Sequence, residues 1–293
     1  MFLQGRGVSG RRACELLGLS RRWRDYQSRK QPGDLIEELK ELARAYPRFG
    51  YRRLHQMLRR KGRKVNVKRV RRLCVKAGLK LPTRKRRKRG GKGIRMPVTA
   101  AYPNHVWAYD FVFDWCANGR QLKILTLTDE FTRECLAIEV EHRMGARQVC
   151  EMLARVMAQR GVPQFIRSDN GPEFIARALL RMLAVKGVAC RHIDPGSPWQ
   201  NGKCERFNGI FRDECANMET FHHRDHTRAV CRLFMRYYNH QRPHSSLGYL
   251  TPVEFSQRQP MAAAGGVVSE SNVPSPAAAM GCRYPAVQAS LSL

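Results

Sequence analysis

The sequence lacks several features that would assign it to common classes of protein. No apolar run approaches the roughly 20 residues that a membrane-spanning helix requires. Residues 1–6 contain no apolar stretch of the kind found in secretory signals, so secretion is not expected. Ten cysteines are present, but none forms a C-x-x-C pair. We therefore expect reduced thiols, buried as small hydrophobic side chains in a cytosolic protein.

Zinc binding is the alternative role for two of these cysteines, because a group of histidines lies between them in sequence. His222, His223 and His226 lie between Cys215 and Cys231, which could mimic a zinc site. Because tight cysteine pairing is missing, a polar helical face is the favoured interpretation.

Acidic residues are scarce in the first third of the chain. Residues 1–99 hold 32 Lys and Arg against 6 Asp and Glu, whereas residues 100–293 hold 22 against 18. Such an asymmetry indicates a polyanionic partner, because each neutralised phosphate releases condensed counterions. A membrane surface is the alternative, but no apolar anchoring face accompanies the charge. Nucleic acid is the better interpretation, and no membrane association is expected.

Residues 1–30 are typical of a helix-turn-helix segment. Ser9 can cap a first helix, Gly18 ends it, and Ser20 can cap a second helix. The second helix would present three DNA-binding candidates: Arg21, Arg22 and Arg24. A basic helical hairpin without base contacts is an equally good interpretation.

Residues 31–82 predict a three-helix DNA-binding domain. Asp34 caps the first helix, the second ends at Gly62, and the third runs from its cap at Asn66 to Gly78 with Val67 facing inward. The outer face of the third helix carries five cations: Lys68, Arg69, Arg71, Arg72 and Lys76. DNA binding is favoured over a merely solvated face, because five cations without an acid would repel one another.

Two segments are predicted to be disordered: a basic linker at residues 83–99 and a tail at residues 257–293, which is rich in Ala, Gly, Ser, Pro and Gln. The linker could be a nuclear localisation signal or a flexible basic strap that binds along the DNA backbone, and the DNA-binding strap is favoured. Its DNA-binding candidates are Arg84, Lys85, Arg86, Arg87, Lys88 and Arg89.

Residues 100–256 predict an α/β layered domain with a mixed sheet. Apolar and aromatic runs at 105–113, 121–128 and 135–140 are separated by turn-like residues and form a three-strand meander. After the meander, helices are predicted at 146–159, 173–186, 200–217 and 225–239, and strands at 164–168 and 188–193. Alternating helices and strands are typical of this fold class.

Three acids stand out by their context. Asp110 lies inside the first strand with no Lys or Arg close in sequence, so a metal ion is a natural partner, although backbone donors could also satisfy it. Asp169 follows a strand, where ligands collect in open α/β sheets, although it could be a turn aspartate. Glu205 lies on a predicted helix face with Asn208, and a surface pairing with arginines is the alternative.

Taken together, these acids lie within six segments that occur in the order typical of one family. The segments are Trp107-Ala-Tyr-Asp110-Phe-Val, Thr128-Asp-Glu-Phe-Thr-Arg-Glu-Cys135, Ser168-Asp-Asn-Gly-Pro-Glu-Phe174, Pro195-Gly-Ser-Pro-Trp-Gln-Asn-Gly202, Glu205-Arg-Phe-Asn-Gly209, and Tyr238-Asn-His-Gln-Arg-Pro-His244 with Thr251-Pro252. The chain resembles the DDE transposases with a retroviral-integrase-like catalytic core, and most closely the OrfB transposases of the IS-three family of bacterial insertion sequences. The resemblance covers residues 35 to 255.

The resemblance implies a ribonuclease-H-like fold: a mixed five-stranded sheet with flanking helices, preceded by small all-α helix-turn-helix modules. It implies that Asp110, Asp169 and Glu205 bind two Mg²⁺ or Mn²⁺ ions and catalyse two-metal phosphodiester transfer. Lys203 and Arg206 flank Glu205 and are expected to touch substrate phosphate. Four further residues lie in the matching segments or near them but outside the triad. Asp114 and Asp129 are expected to be supporting carboxylates, and Arg242 and His244 either orient DNA or pin the last helix, with the second role favoured.

The implied function is that of an insertion-sequence transposase, which binds transposon ends, cleaves a strand and joins the 3′-hydroxyl to target DNA. The alternatives are a metal-dependent nuclease of the same fold that cuts without joining, and a non-catalytic DNA-binding regulator. Tyrosine recombination is disfavoured, because no Arg…His-x-x-Arg…Tyr arrangement is evident. Expected partners are transposon-end and target DNA, further copies of the chain on DNA, and an upstream-frame protein or fusion. The expected location is the bacterial cytoplasm, in association with the nucleoid.

Overall fold

The computed structural model describes residues 7–20, 22, 33–82, 99–168, 171, 176–192 and 202–259. Its helices are α1 (Gly10–Leu16), α2 (Gly33–Ala45), α3 (Tyr51–Arg60), α4 (Val67–Lys76), α5 (Ala146–Arg160), α6 (Arg177–Val185), α7 (Gly202–Glu214), α8 (Arg224–His240) and α9 (Pro252–Gln257). Its strands are β1 (Val106–Trp115), β2 (Gln121–Asp129), β3 (Cys135–Glu141), β4 (Phe165–Ser168) and β5 (Ala189–His192). Helices thus precede the α/β region, as predicted.

Helix α1 begins and ends as the sequence indicates. The Ser9 hydroxyl accepts a hydrogen bond from the Arg12 backbone N–H at 3.3 Å, and Gly18 has a φ of 62° just beyond the helix. This capping is the usual way in which a short polar side chain starts a helix. The second helix predicted after Ser20 falls mostly outside the described residues.

Helices α2, α3 and α4 form the predicted three-helix unit, with two differences in detail. Asp34 lies in the first turn of α2 and is not its cap, because the helix already begins at Gly33. Asn66 caps α4 as predicted, with its side chain accepting from the Lys68 backbone N–H at 2.8 Å. Val67 was predicted to face inward, but it is 38% exposed because the first position of the helix lies at the edge of the bundle.

The five strands form one mixed sheet in the order β3-β2-β1-β4-β5. Strands β1, β2 and β3 pair antiparallel, which confirms the predicted meander. Strand β4 pairs parallel with β1, and β5 pairs parallel with β4. The predicted α/β class and the mixed sheet are therefore confirmed.

The helices cover the sheet on both faces. Helices α5 and α6 pack on one face around Trp107 and Leu153, both fully buried. Helices α7 and α8 pack on the other face through aromatic side chains such as Phe211 and Phe234, whose rings lie 5.3 Å apart. The α2–α4 unit joins this second core, because the Tyr46 ring lies 6.0 Å from the Tyr237 ring of α8.

The cysteines of the described ranges behave as the sequence predicts. Nine of them are free thiols, seven of which are buried. Burial raises the pKa of several, including Cys135 and Cys204, which suits packing more than reactivity. None of the helices in these ranges is long and apolar enough to cross a bilayer.

Candidate active site

The candidate site lies where the middle of β1 meets α7. Asp110 is half-buried and sits opposite Thr126 of β2. One of its carboxylate oxygens accepts a hydrogen bond from the Asn208 side-chain amide of α7 at 2.9 Å, and the other accepts from the Phe111 backbone N–H at 2.8 Å. The Thr126 hydroxyl donates to the Asn208 side-chain oxygen at 2.9 Å and so fixes the orientation of that amide. The strand aspartate is therefore held in one orientation by neutral donors.

Glu205 lies on the same helix as Asn208, one turn closer to its N-terminus. Residues three apart share a helix face, so Glu205 stands beside the residue that contacts Asp110. Glu205 is exposed, whereas Cys204, Phe207 and Phe211, which recur at helical spacing along the same helix, form a buried stripe. The structure thus places two of the three predicted acids at one junction between strand and helix.

Asp169 lies outside the described residues, but the strand that leads to it does not. Strand β4 ends at Ser168, and its parallel pairing aligns Ala108 with Arg167. The carboxyl end of β4 therefore runs beside the part of β1 that carries Asp110.

Asp110 and Glu205 present carboxylate oxygens, which are the ligands that hard divalent cations prefer. The described part of the chain contains no group of three or more His, Cys, Asp or Glu that could hold a metal ion.

The two additional carboxylates near the site, Asp129 and Asp114, accept hydrogen bonds from backbone N–H groups. Asp129 is buried and accepts from the backbone N–H groups of Asn104, Phe131 and Thr132 at 2.7, 2.7 and 3.0 Å. Burial raises its pKa, and these hydrogen bonds oppose the shift. Asp114 accepts from the Trp115 backbone N–H at 2.8 Å. Both contacts agree with a supporting role outside the triad.

One buried acid near the site was not identified from the sequence. Glu130 follows β2 and is 1% exposed. One of its oxygens accepts from the Arg167 guanidinium of β4, and the other lies 3.3 Å from the Lys203 ammonium of α7. Its position within the Thr128–Cys135 motif carried no signal, because these partners are 37 and 73 residues away in the sequence.

The two basic residues beside Glu205 have different surroundings. Lys203 pairs with Glu130, and its side chain is 20% exposed. Burial lowers the pKa of Lys203, and the charge of Glu130 opposes that shift. Arg206 is exposed. A phosphate contact by either residue stays a prediction. In this structure the charged partner of Lys203 is the buried Glu130.

The motif that contains Arg242 and His244 is largely buried. Arg242 is 1% exposed and donates two hydrogen bonds to Glu214 of α7, at 2.7 and 2.6 Å. His244 packs against the Tyr238 ring at 4.7 Å. Burial, together with the charges of Arg242 and Arg53, lowers the pKa of His244 to about 2, so the ring is neutral. These contacts support the structural interpretation, in which the motif pins the last long helix.

The histidine group near α8 is part of a helix start. The His223 side chain caps α8 by accepting from the His226 backbone N–H at 3.3 Å, and the rings of His222 and His226 lie 5.0 Å apart. Cys215 and Cys231, which flank the group, are fully buried. The polar-face interpretation fits this arrangement better than a zinc site.

The predicted DNA-binding cations are only partly within the described ranges. On α4, Lys68, Arg71, Arg72 and Lys76 are exposed, and Arg69 is half-buried. No ion pair joins any of these five to a described acidic residue. Arg22 is exposed. The remaining candidates, Arg21, Arg24, Arg84, Lys85, Arg86, Arg87, Lys88 and Arg89, lie outside the described residues.

Comparisons with known proteins agree with this architecture. Family models described as integrase core domain match residues 100–198 and 186–252, and a model described as HTH-like domain matches residues 32–87. The insertion element IS407 uncharacterized 31.7 kDa protein of Burkholderia multivorans is 44% identical over 255 residues, which cover 86% of this chain and 91% of that protein. A protein of Escherichia coli (strain K12) that carries the name transposase InsK, for insertion sequence element IS150, is 26% identical over 219 residues, which cover 71% of this chain and 77% of that protein.

A solved structure shows the fold. The match is a chain in the structure of the simian T-cell lymphotropic virus intasome in complex with PP2A regulatory subunit B56 gamma. The two chains are 16% identical, the superposition covers 80% of this chain and 80% of that chain, and the TM-score is 0.50. The sheet and its flanking helices are therefore ribonuclease-H-like, as in retroviral integrase cores.

Proposed function

Because this chain belongs to the integrase-core transposases of bacterial insertion elements, as an OrfB-type member of the IS-three family, we propose that it binds the ends of its element, cleaves a strand there and joins the resulting 3′-hydroxyl to target DNA. Family membership makes the chain a member of the polynucleotidyl transferase superfamily. The proposal comprises the individual steps of end binding, strand cleavage and strand joining, together with the metal ions and the DNA partners that they require.

The observation that carries the proposal is the contact between Asp110 and Asn208. These residues are separated by 98 positions, yet the carboxylate and the amide lie 2.9 Å apart. The contact brings β1 and the helix of Glu205 together next to the end of β4, which Asp169 follows directly.

In this proposal the three acids form a metal site beside the middle of β1, at the carboxyl end of β4. Two divalent ions, Mg²⁺ or Mn²⁺, would be held by Asp110, Asp169 and Glu205 and would supply activation of the attacking hydroxyl and neutralisation of charge on the leaving oxygen. The protein's own task is positioning. Asn208 orients the Asp110 carboxylate, and the buried stripe of Cys204, Phe207 and Phe211 fixes α7 against the sheet.

The reaction balances without an external energy source. Water attacks a phosphodiester at the element end, so that a P–O bond to the water oxygen forms while another P–O bond breaks. The element strand keeps a free 3′-hydroxyl, and the flanking strand keeps a 5′-phosphate. That hydroxyl then attacks a target phosphodiester, so that one P–O bond forms while another breaks and the target strand leaves with its own 3′-hydroxyl. No covalent bond between protein and DNA is expected. Further copies of this chain on the DNA, and an upstream-frame partner, are also part of the proposal.

DNA affinity is expected to depend on the exposed face of α4. Replacing both Lys68 and Arg72 by Ala should weaken binding and reduce the slope of log affinity against log salt by about 2, because each lost phosphate contact removes roughly one released counterion. Fluorescence anisotropy titrations of a labelled element-end duplex at several salt concentrations measure this slope. As the control, Arg143→Ala with Arg147→Ala removes two exposed cations near α5, on the opposite face of the sheet. Equal slopes for the two double variants would contradict the assignment of α4.

The experiment that tests the function is a strand-transfer assay with the full chain. A duplex carrying a labelled element end is incubated with the protein, a target plasmid and Mg²⁺, and the products are separated on denaturing and native gels. We expect labelled DNA covalently joined to the target, and no joined product when EDTA removes the Mg²⁺. Cut ends that never join would favour the nuclease, and bound DNA without any Mg²⁺-dependent product would favour the regulator. Either result would overturn the proposal.

A further inference from the structure

A single buried carboxylate connects the two elements that lead to Asp169 and Glu205. Glu130 is placed by its backbone N–H, which donates to the Val106 carbonyl of β1 at 2.9 Å. Its side chain pairs with Arg167 of β4 and with Lys203 of α7. Arg167 lies two residues before Asp169, and Lys203 lies two residues before Glu205. One residue is therefore linked to β1, β4 and α7.

The three charged side chains of this ion group are largely withdrawn from solvent. The Glu130 side chain is 0% exposed, that of Arg167 is 5% exposed and that of Lys203 is 20% exposed. An ionised carboxylate at such a position is tolerated only when cations compensate its charge. In turn, two cations held close together in the interior repel each other unless an anion lies between them. Each member of the group thus restricts where the other two can lie.

The ion group connects the end of β4 to the first turn of α7, which carries Glu205. Asp110 has its own support from Asn208 and the Phe111 backbone, whereas Glu205 is an exposed residue in the first turn of α7. The pairing of Lys203 with Glu130 ties this first turn to the end of β2. The pairing of Arg167 with the same carboxylate ties the end of β4 to that point. The spacing between the ends of β4 and α7 is thereby set through Glu130.

We propose that Glu130 is a positioning residue, which sets the separation of Asp169 and Glu205 through Arg167 and Lys203 and so controls how tightly the triad holds its divalent ions. The inference rests on the proposed function. Glu130 does not touch DNA or a reacting atom in this role. It acts as outer-shell partners do at metal sites, whose replacement weakens metal affinity about 10–100-fold.

The test compares Glu130→Gln with wild type in the full chain bound to an element-end duplex. Binding of Mn²⁺ is measured from the electron paramagnetic resonance signal of the free ion, and the half-saturating Mg²⁺ concentration is measured for strand joining. We expect Glu130→Gln to weaken Mn²⁺ binding and to raise the half-saturating Mg²⁺ about 10–100-fold, with DNA affinity within about twofold of wild type. Excess Mg²⁺ should restore much of the joining rate.

Two further variants keep the test decisive. Leu153→Ala opens a cavity under α5 on the opposite face of the sheet, so it lowers stability without touching this ion group. It should leave both metal measurements unchanged, and a shift equal to that of Glu130→Gln would overturn the proposal. Lys203→Met removes only the link to α7 and stays informative if Glu130→Gln does not fold. It should move metal affinity in the same direction. Weaker DNA binding with unchanged metal affinity would instead make Lys203 a phosphate contact and overturn the proposal.

Failure of the inference is distinguishable from failure of the proposed function. If wild type joins strands and Glu130→Gln matches it in Mn²⁺ binding and Mg²⁺ dependence, the positioning role is wrong and the transposase assignment stands. If wild type produces no joined strands with Mg²⁺, the proposed function is wrong.

Discussion

Replacing Asp110, Asp169 or Glu205 by the corresponding amide is expected to lower the rate of strand joining at least about a thousandfold, which corresponds to a rise in the activation barrier of about 4 kcal/mol. Asparagine and glutamine preserve the size of the side chain but remove the negative charge that would hold a divalent ion. Because the metal ions would contribute to every phosphodiester step, cleavage and joining should fall together. The measurement is the strand-transfer assay, with each variant checked by anisotropy for DNA binding within about twofold of wild type.

The matched control for these variants is Asp114→Asn. Asp114 lies on the same strand as Asp110, four residues further along, and its side chain accepts a hydrogen bond from the backbone. An amide oxygen can accept the same hydrogen bond, so we expect the joining rate to stay within about threefold of wild type. If one of the three acid variants retained such a rate, that acid would not belong to the triad. An inactive Asp114→Asn would place a fourth carboxylate at the site.

Much of the fold could be predicted from the sequence because local signals determine where most elements begin and end. Asn66 and Gly78 bracket α4, and both act through contacts within a few residues of themselves. The meander could be predicted because its turns are short, so neighbouring strands pair in antiparallel fashion. The inward stripe of α7 follows from helical periodicity alone.

Contacts between distant segments could not be predicted in this way. Helix α9 was missed, since its six residues are too few for a periodic pattern, although Thr251 and Glu254 form a capping box at its start. The contact between Asp110 and Asn208 was also missed. Both residues were singled out, but nothing in one sequence says which of two distant polar side chains will meet.

The same limit applies to Lys203. In sequence, a lysine beside a glutamate that is predicted to be catalytic favours a contact with phosphate. In the structure, the buried Glu130 provides an anion inside the protein, and Lys203 pairs with it. Whether a cation faces DNA or the interior depends on an acid 73 residues away, so charge counted along the chain cannot decide it.

The second large effect is expected at Glu214, which joins the helical unit to the α/β region. Its carboxylate is 5% exposed and accepts from Arg242 at 2.7 and 2.6 Å, from Tyr237 at 3.2 Å and from Arg53 of α3 at 3.3 Å. Glu214→Gln should lower the free energy of unfolding by about 3–5 kcal/mol, because the charge of Arg242 would remain buried without its anion. Urea denaturation followed by circular dichroism measures the change.

A surface pair between the same two regions serves as the control. Arg60 of α3 lies 2.6 Å from Glu254 of α9, and their side chains are 32% and 40% exposed. Glu254→Gln keeps the capping group at the start of α9 and should cost at most about 1 kcal/mol, because water solvates both partners. Equal losses in the two variants would mean that burial does not set the strength of the junction. A loss confined to Glu214→Gln would show that one buried carboxylate fixes the α2–α4 unit on the α/β region.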